Sequence, residues 1–314
     1  MRQAVDNIPS RRGVGRAVAK DFERNKYKYL LVLPVLAYFI VFCYFPMYGV
    51  VIAFKQYRVS LSVAASPWIG FRNFQRFFTD IYFVRIVRNT FLLSIFSLIW
   101  GFPAPIILAL LLNEVRRSWF KRVVQTITYF PHFVSVVIVC GLITSYSLTT
   151  GLFNTIRVAM GLPVVSLLQE PRFFRPIYIG SDIWQNVGWN SIIYLAALSF
   201  IDPQLYEAAL MDGAGRMRQL WHVTLPGIVP TILMLLILRM GFMLNIGYEK
   251  ILLLYSPPTY EVADVISTYV YRVGLIDADF SYSTAVGLVN SVVNVFFLVT
   301  ANILSKRFSG VGLF

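Results

Sequence analysis

Between two long apolar runs the chain reads Asp202-Pro203-Gln204-Leu205-Tyr206-Glu207-Ala208-Ala209-Leu210-Met211-Asp212-Gly213, followed after a gap by Thr224-Leu225-Pro226. Asp202 and Pro203 open a helix, because Asp accepts from free N–H groups and Pro fits the first helical position. Two turns from Pro203 place Leu205 with Ala209, and Tyr206 with Leu210, on shared faces. Asp212-Gly213 then ends the helix as a turn signal. A second short helix over 215–223 hands the chain to the next apolar run at Leu225-Pro226.

The surroundings identify the solvent. Hydrophobic residues make up 57% of the 314 and charged residues 14%, against about 25% charged in a soluble domain. Six apolar runs, near 29–54, 88–113, 122–147, 176–200, 228–249 and 282–304, are long enough for the roughly 20 helical residues that cross a hydrocarbon core. None alternates as barrel strands do. The expected fold is an all-α membrane protein with six transmembrane helices. A basic tail (1–28) precedes the first helix (29–54). An external segment (55–87) leads to a five-helix core (88–304) holding the loop 201–227, and a short tail (305–314) follows.

A formal net charge of +13 raises nucleic acid as a partner, but the charge is distributed by topology. Sixteen Lys and Arg lie in the two tails and in the loops after the second and fourth spans, eleven in the alternate segments, and Arg239 lies inside a span. This bias puts both termini and the 201–227 loop in the cytoplasm, and no nucleic-acid-binding fold signal supports the other partner. Cys43 and Cys140 fall in apolar runs without metal-ligand spacing, and no metal site is expected. No Gly-x-x-x-x-Gly-Lys-Ser/Thr phosphate loop occurs, so any nucleotide chemistry belongs to another chain. No nucleophile–base constellation marks the chain as an enzyme.

Glu207, Ala208, Ala209, Gly213, Leu225 and Pro226, with Val223 in place of Ile, resemble the EAA motif of ABC-importer permeases, the membrane subunits of binding-protein-dependent uptake systems. Asp202-Pro203, Tyr206 and Asp212-Gly213-Ala214 suit the wider form found in carbohydrate permeases. The segment from Thr259-Tyr260-Glu261 through Tyr271-Arg272 is similar to a stretch in the LplB-like subgroup that includes the alginate importer. The resemblance implies a type I ABC-importer permease fold in a bacterial cytoplasmic (inner) membrane. It implies a second permease subunit, identical or related, and an extracytoplasmic solute-binding protein. Two ATP-binding subunits would dock at the EAA loop and carry the ATP and Mg; this chain needs no cofactor. Glu207, Ala208, Ala209, Asp212 and Gly213 would then form the coupling helix.

Two stretches are too polar for lipid and are candidates for the substrate pathway. The fourth run carries Asp182, Trp184, Gln185, Asn186, Trp189 and Asn190. Trp184, Trp189 and Asn190 offer aromatic planes and amides for a sugar, and polar contacts between helices are an equal rival reading. In the fifth run Arg239 lies about a dozen residues past Pro226, near mid-membrane at about 1.5 Å per residue. There it requires a cavity or a counter-charge: either an anionic substrate group such as a uronate, or an ion pair with a partner subunit. Asn245 and Tyr248 follow on the same run. His132 stands beside Pro131 with no acid at helical spacing, which leaves a proton-relay role weakly supported. The function expected is import of an oligosaccharide, acidic if Arg239 meets substrate. A proton-coupled secondary transporter using Asp182, or a membrane scaffold without an ATPase, are the alternatives.

Overall fold

The computed structural model describes residues 11–313, and these divide into two units, one ending at Ile52 and the other beginning at Ala53. The first ten residues of the basic tail lie outside the described residues. In the first unit helix α1 (Arg11–Tyr38) carries Pro34 and is kinked at Asn25, where φ is −115°. Pro removes an N–H and crowds the carbonyl one turn earlier. The chain then continues through wider π-helical turns at Phe39–Tyr44.

The second unit is built from helices. Those of six residues or more are, in order, α2 (Arg72–Phe78), α3 (Phe83–Phe96), α4 (Pro103–Glu114), α5 (Ser118–Tyr129), α6 (Val136–Ser147), α7 (Leu152–Ala159), α8 (Pro171–Ser199), α9 (Pro203–Met211), α10 (Leu225–Gly241), α11 (Tyr248–Leu254), α12 (Ile266–Tyr271) and α13 (Phe280–Ser309), with four-residue helices at Arg216–Gln219 and Tyr260–Ala263. Among the described residues there is no strand, only an isolated bridge between Lys55 and Trp68.

Five segments are long and apolar enough to cross a membrane: Arg24–Phe54, Phe83–Glu114, Val136–Ala159, Arg216–Gly241 and Phe280–Ser309. The fourth run of the sequence is the exception. Helix α8 has 29 residues, about 44 Å at roughly 1.5 Å each, but Asp182 and the amides around it keep it out of the apolar class. It is long enough to span while presenting polar groups to its neighbours.

Two expected spans are discontinuous. The run at 122–147 breaks at Pro131, where a 3₁₀ turn (Phe130–Phe133) separates α5 from α6. The run at 228–249 stops being helical at Gly241, and residues 242–247 are unwound before α11. That unwinding is supported by side chains. Asn294 Oδ1 accepts from the Leu244 N–H (3.0 Å), Ser94 Oγ donates to the Met243 carbonyl (2.7 Å) and Ser267 Oγ donates to the Ile246 carbonyl (3.0 Å). Irregular backbone at membrane depth persists only where such partners or a cavity replace the helical hydrogen bonds. A further short helix, α7, lies between α6 and α8.

Three buried clusters hold the unit together. Leu93, Val139, Phe174, Tyr178, Ile251 and Val265 join α3, α6, α8 and α11. Phe77, Ile86, Tyr269, Tyr282 and Val286 join α2, α3, α12 and α13. Ala109, Tyr194, Leu198 and Ile228 join α4, α8 and α10. Helix α8 contributes to two of them, so its polar face is set by the packing of its apolar one.

Candidate functional site: a polar cavity and a projecting helix

The broken ends of two helices frame a cavity of about 910 Å³ between α3, α8 and α10. Arg239 sits in the last turn of α10, where the helix breaks. Its guanidinium donates to Ser97 Oγ at 3.0 Å, and among the described residues it makes no ion pair with a carboxylate. A cation suits this position, because the helix dipole is negative at its C-terminal end. Asn245 lies in the unwound stretch, and its Oδ1 accepts from Asn290 (3.1 Å) and Asn294 (2.9 Å). Tyr248 opens α11 and stacks on Tyr271 with centroids 5.5 Å apart. Arg239, Asn245, Tyr248 and Asn190 all line the cavity.

Trp184 and Trp189 do not line it. Trp184 is half exposed. Trp189 lies flat against His132, with centroids 4.7 Å apart and rings 5° from parallel. This brings together residues that the sequence separates by more than fifty positions. His132 Nδ1 lies 3.0 Å from Asn186 Oδ1, while Asn186 Nδ2 donates to Asp182 Oδ1 at 3.0 Å. Because the amide nitrogen is committed to Asp182, the amide oxygen faces the imidazole and His132 Nδ1 is the donor. Sequence spacing gave His132 no acid, yet the fold supplies one through Asn186.

Sequence reading passed over Lys250, which counted as a loop charge just beyond the fifth run. It is 5% exposed and lines the same cavity. Its Nζ lies 3.9 Å from Asp182 Oδ1 and 5.6 Å from the centre of the Tyr178 ring. The signal available was the apolar run Ile251–Leu254 that follows it directly.

Beyond the cavity lining, a buried acid ties several segments together. Asp264 is fully buried and pairs with Arg272 (2.8 Å) and Arg85 (3.2 Å). Thr268 Oγ1 donates to its other oxygen at 2.9 Å. Asn89 on α3 donates to the carbonyls of Glu261 and Asp264. A second node centres on Asp80, which accepts from the phenols of Tyr269 (2.7 Å) and Tyr282 (3.1 Å) and from the backbone N–H of Tyr82. Burial alone would raise the Asp80 carboxyl. The hydrogen bonds from Tyr269, Tyr82 and Tyr282, with the nearby Arg76 guanidinium, outweigh that and hold it below the ordinary carboxylate range.

Helix α9 projects from the rest and has no buried residue. Asp202 caps it by accepting from the Gln204 N–H at 2.9 Å, with Pro203 at its first position. Gly213, at φ +74°, closes it: the Gly213 N–H donates to Leu210 and the Ala214 N–H to Ala209. Positive φ is open to Gly at little cost. Glu207, Ala208 and Asp212 are exposed, and Ala209 is partly covered. Leu205, Leu210 and Met211 are exposed as well, Met211 by 89%. Tyr206 fixes the helix to the following span, its hydroxyl 3.0 Å from Thr224 Oγ1. The result is a helix held at one side and bare on the other, suited to a protein partner.

A polar cavity at helix breaks and an anchored, exposed helix between two spans are features of a transport subunit. Residues 101–310 match the family described as binding-protein-dependent transport system inner membrane component, and the chain belongs to that family. Among its relatives is LplB of Bacillus subtilis (strain 168), 44% identical over 99% of this chain and 100% of that protein. The polygalacturonan/rhamnogalacturonan transport system permease protein YteP of the same organism is 45% identical over 99% of this chain and 97% of YteP. A crystal structure of a bacterial ABC transporter involved in the import of the acidic polysaccharide alginate contains a chain that superimposes with a TM-score of 0.86. That chain is 46% identical, and the match covers 93% of this chain and 99% of that one.

Proposed function

We propose that this chain is the permease subunit of an ATP-driven importer for acidic oligosaccharides, those carrying uronate carboxylates. The observation that carries the reading is Arg239, a cavity-lining cation at a helix break with a hydroxyl partner and, among the described residues, no carboxylate partner. A guanidinium can hold a carboxylate through two parallel hydrogen bonds. Relatives that carry polygalacturonan or rhamnogalacturonan, or import alginate, support the same substrate class. Asn190, Asn245 and Tyr248 would meet the sugar in the cavity, with Trp184 and Trp189 outside its wall.

The chain works in this reading as a multi-pass subunit of a bacterial cytoplasmic membrane, both termini on the cytoplasmic side. It pairs with a second permease, identical or related. A solute-binding protein delivers the oligosaccharide from outside, and a related transporter has been solved with a pentasaccharide-bound periplasmic protein. Two ATP-binding subunits, which hold ATP and Mg, receive α9. Glu207 supplies the polar contact and Leu205, Leu210 and Met211 the apolar one, with Ala208 and Ala209 allowing close approach. Asp212 and Gly213 terminate the lever. Closure of the ATPases moves α9, and Tyr206 passes that motion to α10 at whose far end Arg239 lies. This is a two-state element biased by a ligand.

The test is ATP hydrolysis by the reconstituted complex with its binding protein, titrated with uronate and neutral oligosaccharides. Stimulation by uronates, weakened in Arg239→Gln, is expected. Stimulation by neutral sugars alone would overturn the acidic-substrate reading and leave the permease assignment intact.

A further inference from the structure

We infer that Lys250 is a second carboxylate-recognising cation of this cavity, held in reserve by Asp182 and released to a uronate of the substrate. The inference rests on the proposed acidic-oligosaccharide reading and names a specificity residue within it.

Lys250 is an anomaly in the wall. Its side chain is more than nine-tenths buried, yet its ammonium has no hydrogen-bond partner among the described residues. The 3.9 Å to Asp182 Oδ1 is beyond hydrogen-bond reach. By contrast, Asp264 pairs with Arg272 at 2.8 Å and with Arg85 at 3.2 Å. Asp182 spends the same oxygen on Asn186. Asn186 in turn is held by His132, and His132 by the face of Trp189. Asp182 is therefore fixed toward Asn186 and approaches Lys250 only loosely.

A buried ammonium with unused donors is costly unless an anion satisfies it. Asp182 offsets the charge and leaves the donors free. A sugar hydroxyl would satisfy a donor but not the charge, whereas a carboxylate satisfies both. The side chain has four rotatable bonds, so Nζ can turn from the Tyr178 ring into the adjoining space. Arg239 lines the same cavity, so two cations can engage one acidic chain at two points. Glu249, exposed beside Lys250, also lines the cavity.

The experiment is ATP-driven uptake by proteoliposomes holding the full complex and its binding protein. The substrates are a uronate oligosaccharide and a neutral one of equal length. Wild-type uptake of the uronate tests the underlying reading; failure there removes both claims together. Given that uptake, Lys250→Gln is expected to raise the uronate concentration for half-maximal transport by about tenfold or more, as losing one charge-assisted hydrogen bond does. Neutral-sugar uptake should stay within about twofold, and Lys250→Arg should restore uronate uptake. The double variant Asp182→Asn with Lys250→Gln removes the buried-charge problem. It should fold and remain defective for the uronate. Wild-type uronate transport in the double variant, or equal loss for both sugars in Lys250→Gln, would make the pair purely structural and overturn the inference.

Discussion

Gly188 on α8 lies directly against the backbone carbonyl of Thr128 on α5, with no room for a Cβ between them. Small residues allow helices to approach this closely in membranes. Gly188 is two residues from Asn186 and next to Trp189, and Thr128 is four residues before His132, so the contact sets the distance at which the imidazole meets both.

Gly188→Val should therefore force the two helices apart. Overpacking of this kind costs about 1–3 kcal/mol, and the melting temperature of the purified complex should fall accordingly. Gly188→Ala should shift it in the same direction by less. An unchanged melting temperature in Gly188→Val would mean that the crossing is not tight.

Asp264 lies between the guanidiniums of Arg85 and Arg272 and pairs with both. Asp264→Asn should leave two partly buried cations unpaired, a loss of about 3–5 kcal/mol for a fully buried pair; side chains of Arg that are 30% exposed place it toward the lower figure. Thermal unfolding in detergent compares it with Thr268→Val, which removes one hydrogen bond to the same acid and should cost less.

Gly213 has open space around it and a φ of +74°. Gly213→Ala consequently tests backbone strain alone, about 1–2 kcal/mol, with Gly213→Asn milder. The chain should still assemble in the membrane. ATP hydrolysis uncoupled from uptake is the expected result, read by measuring both on the same proteoliposomes.

The depressed Asp80 carboxyl carries a definite pH dependence. A group whose folded pKa is lowered contributes stability that is present above its unfolded pKa, about 3.9, and lost as pH falls through the folded value. Melting temperature should hold above about pH 5 and drop below about pH 4, with a flatter acid limb in Asp80→Asn. Identical acid limbs would place the sensitivity elsewhere.

Asn294 supports the unwound segment twice, accepting from Leu244 and donating to Asn245. Asn294→Leu keeps the volume and removes both bonds. Leaving a buried N–H unpaired costs about 1–3 kcal/mol, and uptake should fall because the segment that carries Asn245 and Tyr248 loses its shape. Uptake equal to wild type would show that the remaining bonds suffice.

Composition and run length by themselves determined that this is a helical membrane protein, because covering about 30 Å of hydrocarbon demands long apolar segments whatever the neighbours. The projecting helix was equally legible: Asp202, Pro203, Asp212 and Gly213 act locally, and local signals survive folding. What only the tertiary structure decided lies where partners come from distant segments. The fifth run looked continuous to 249, since apolar residues cannot reveal that Asn294 and Ser94 wait to satisfy an unwound backbone. Trp189 offers an aromatic plane in the sequence, and only the fold sets His132 flat against one face of it. The burial of Lys250 and Asp264 is not legible in the sequence, because burial of a charge depends on which counter-charge the packing brings near, and no spacing along the chain records that.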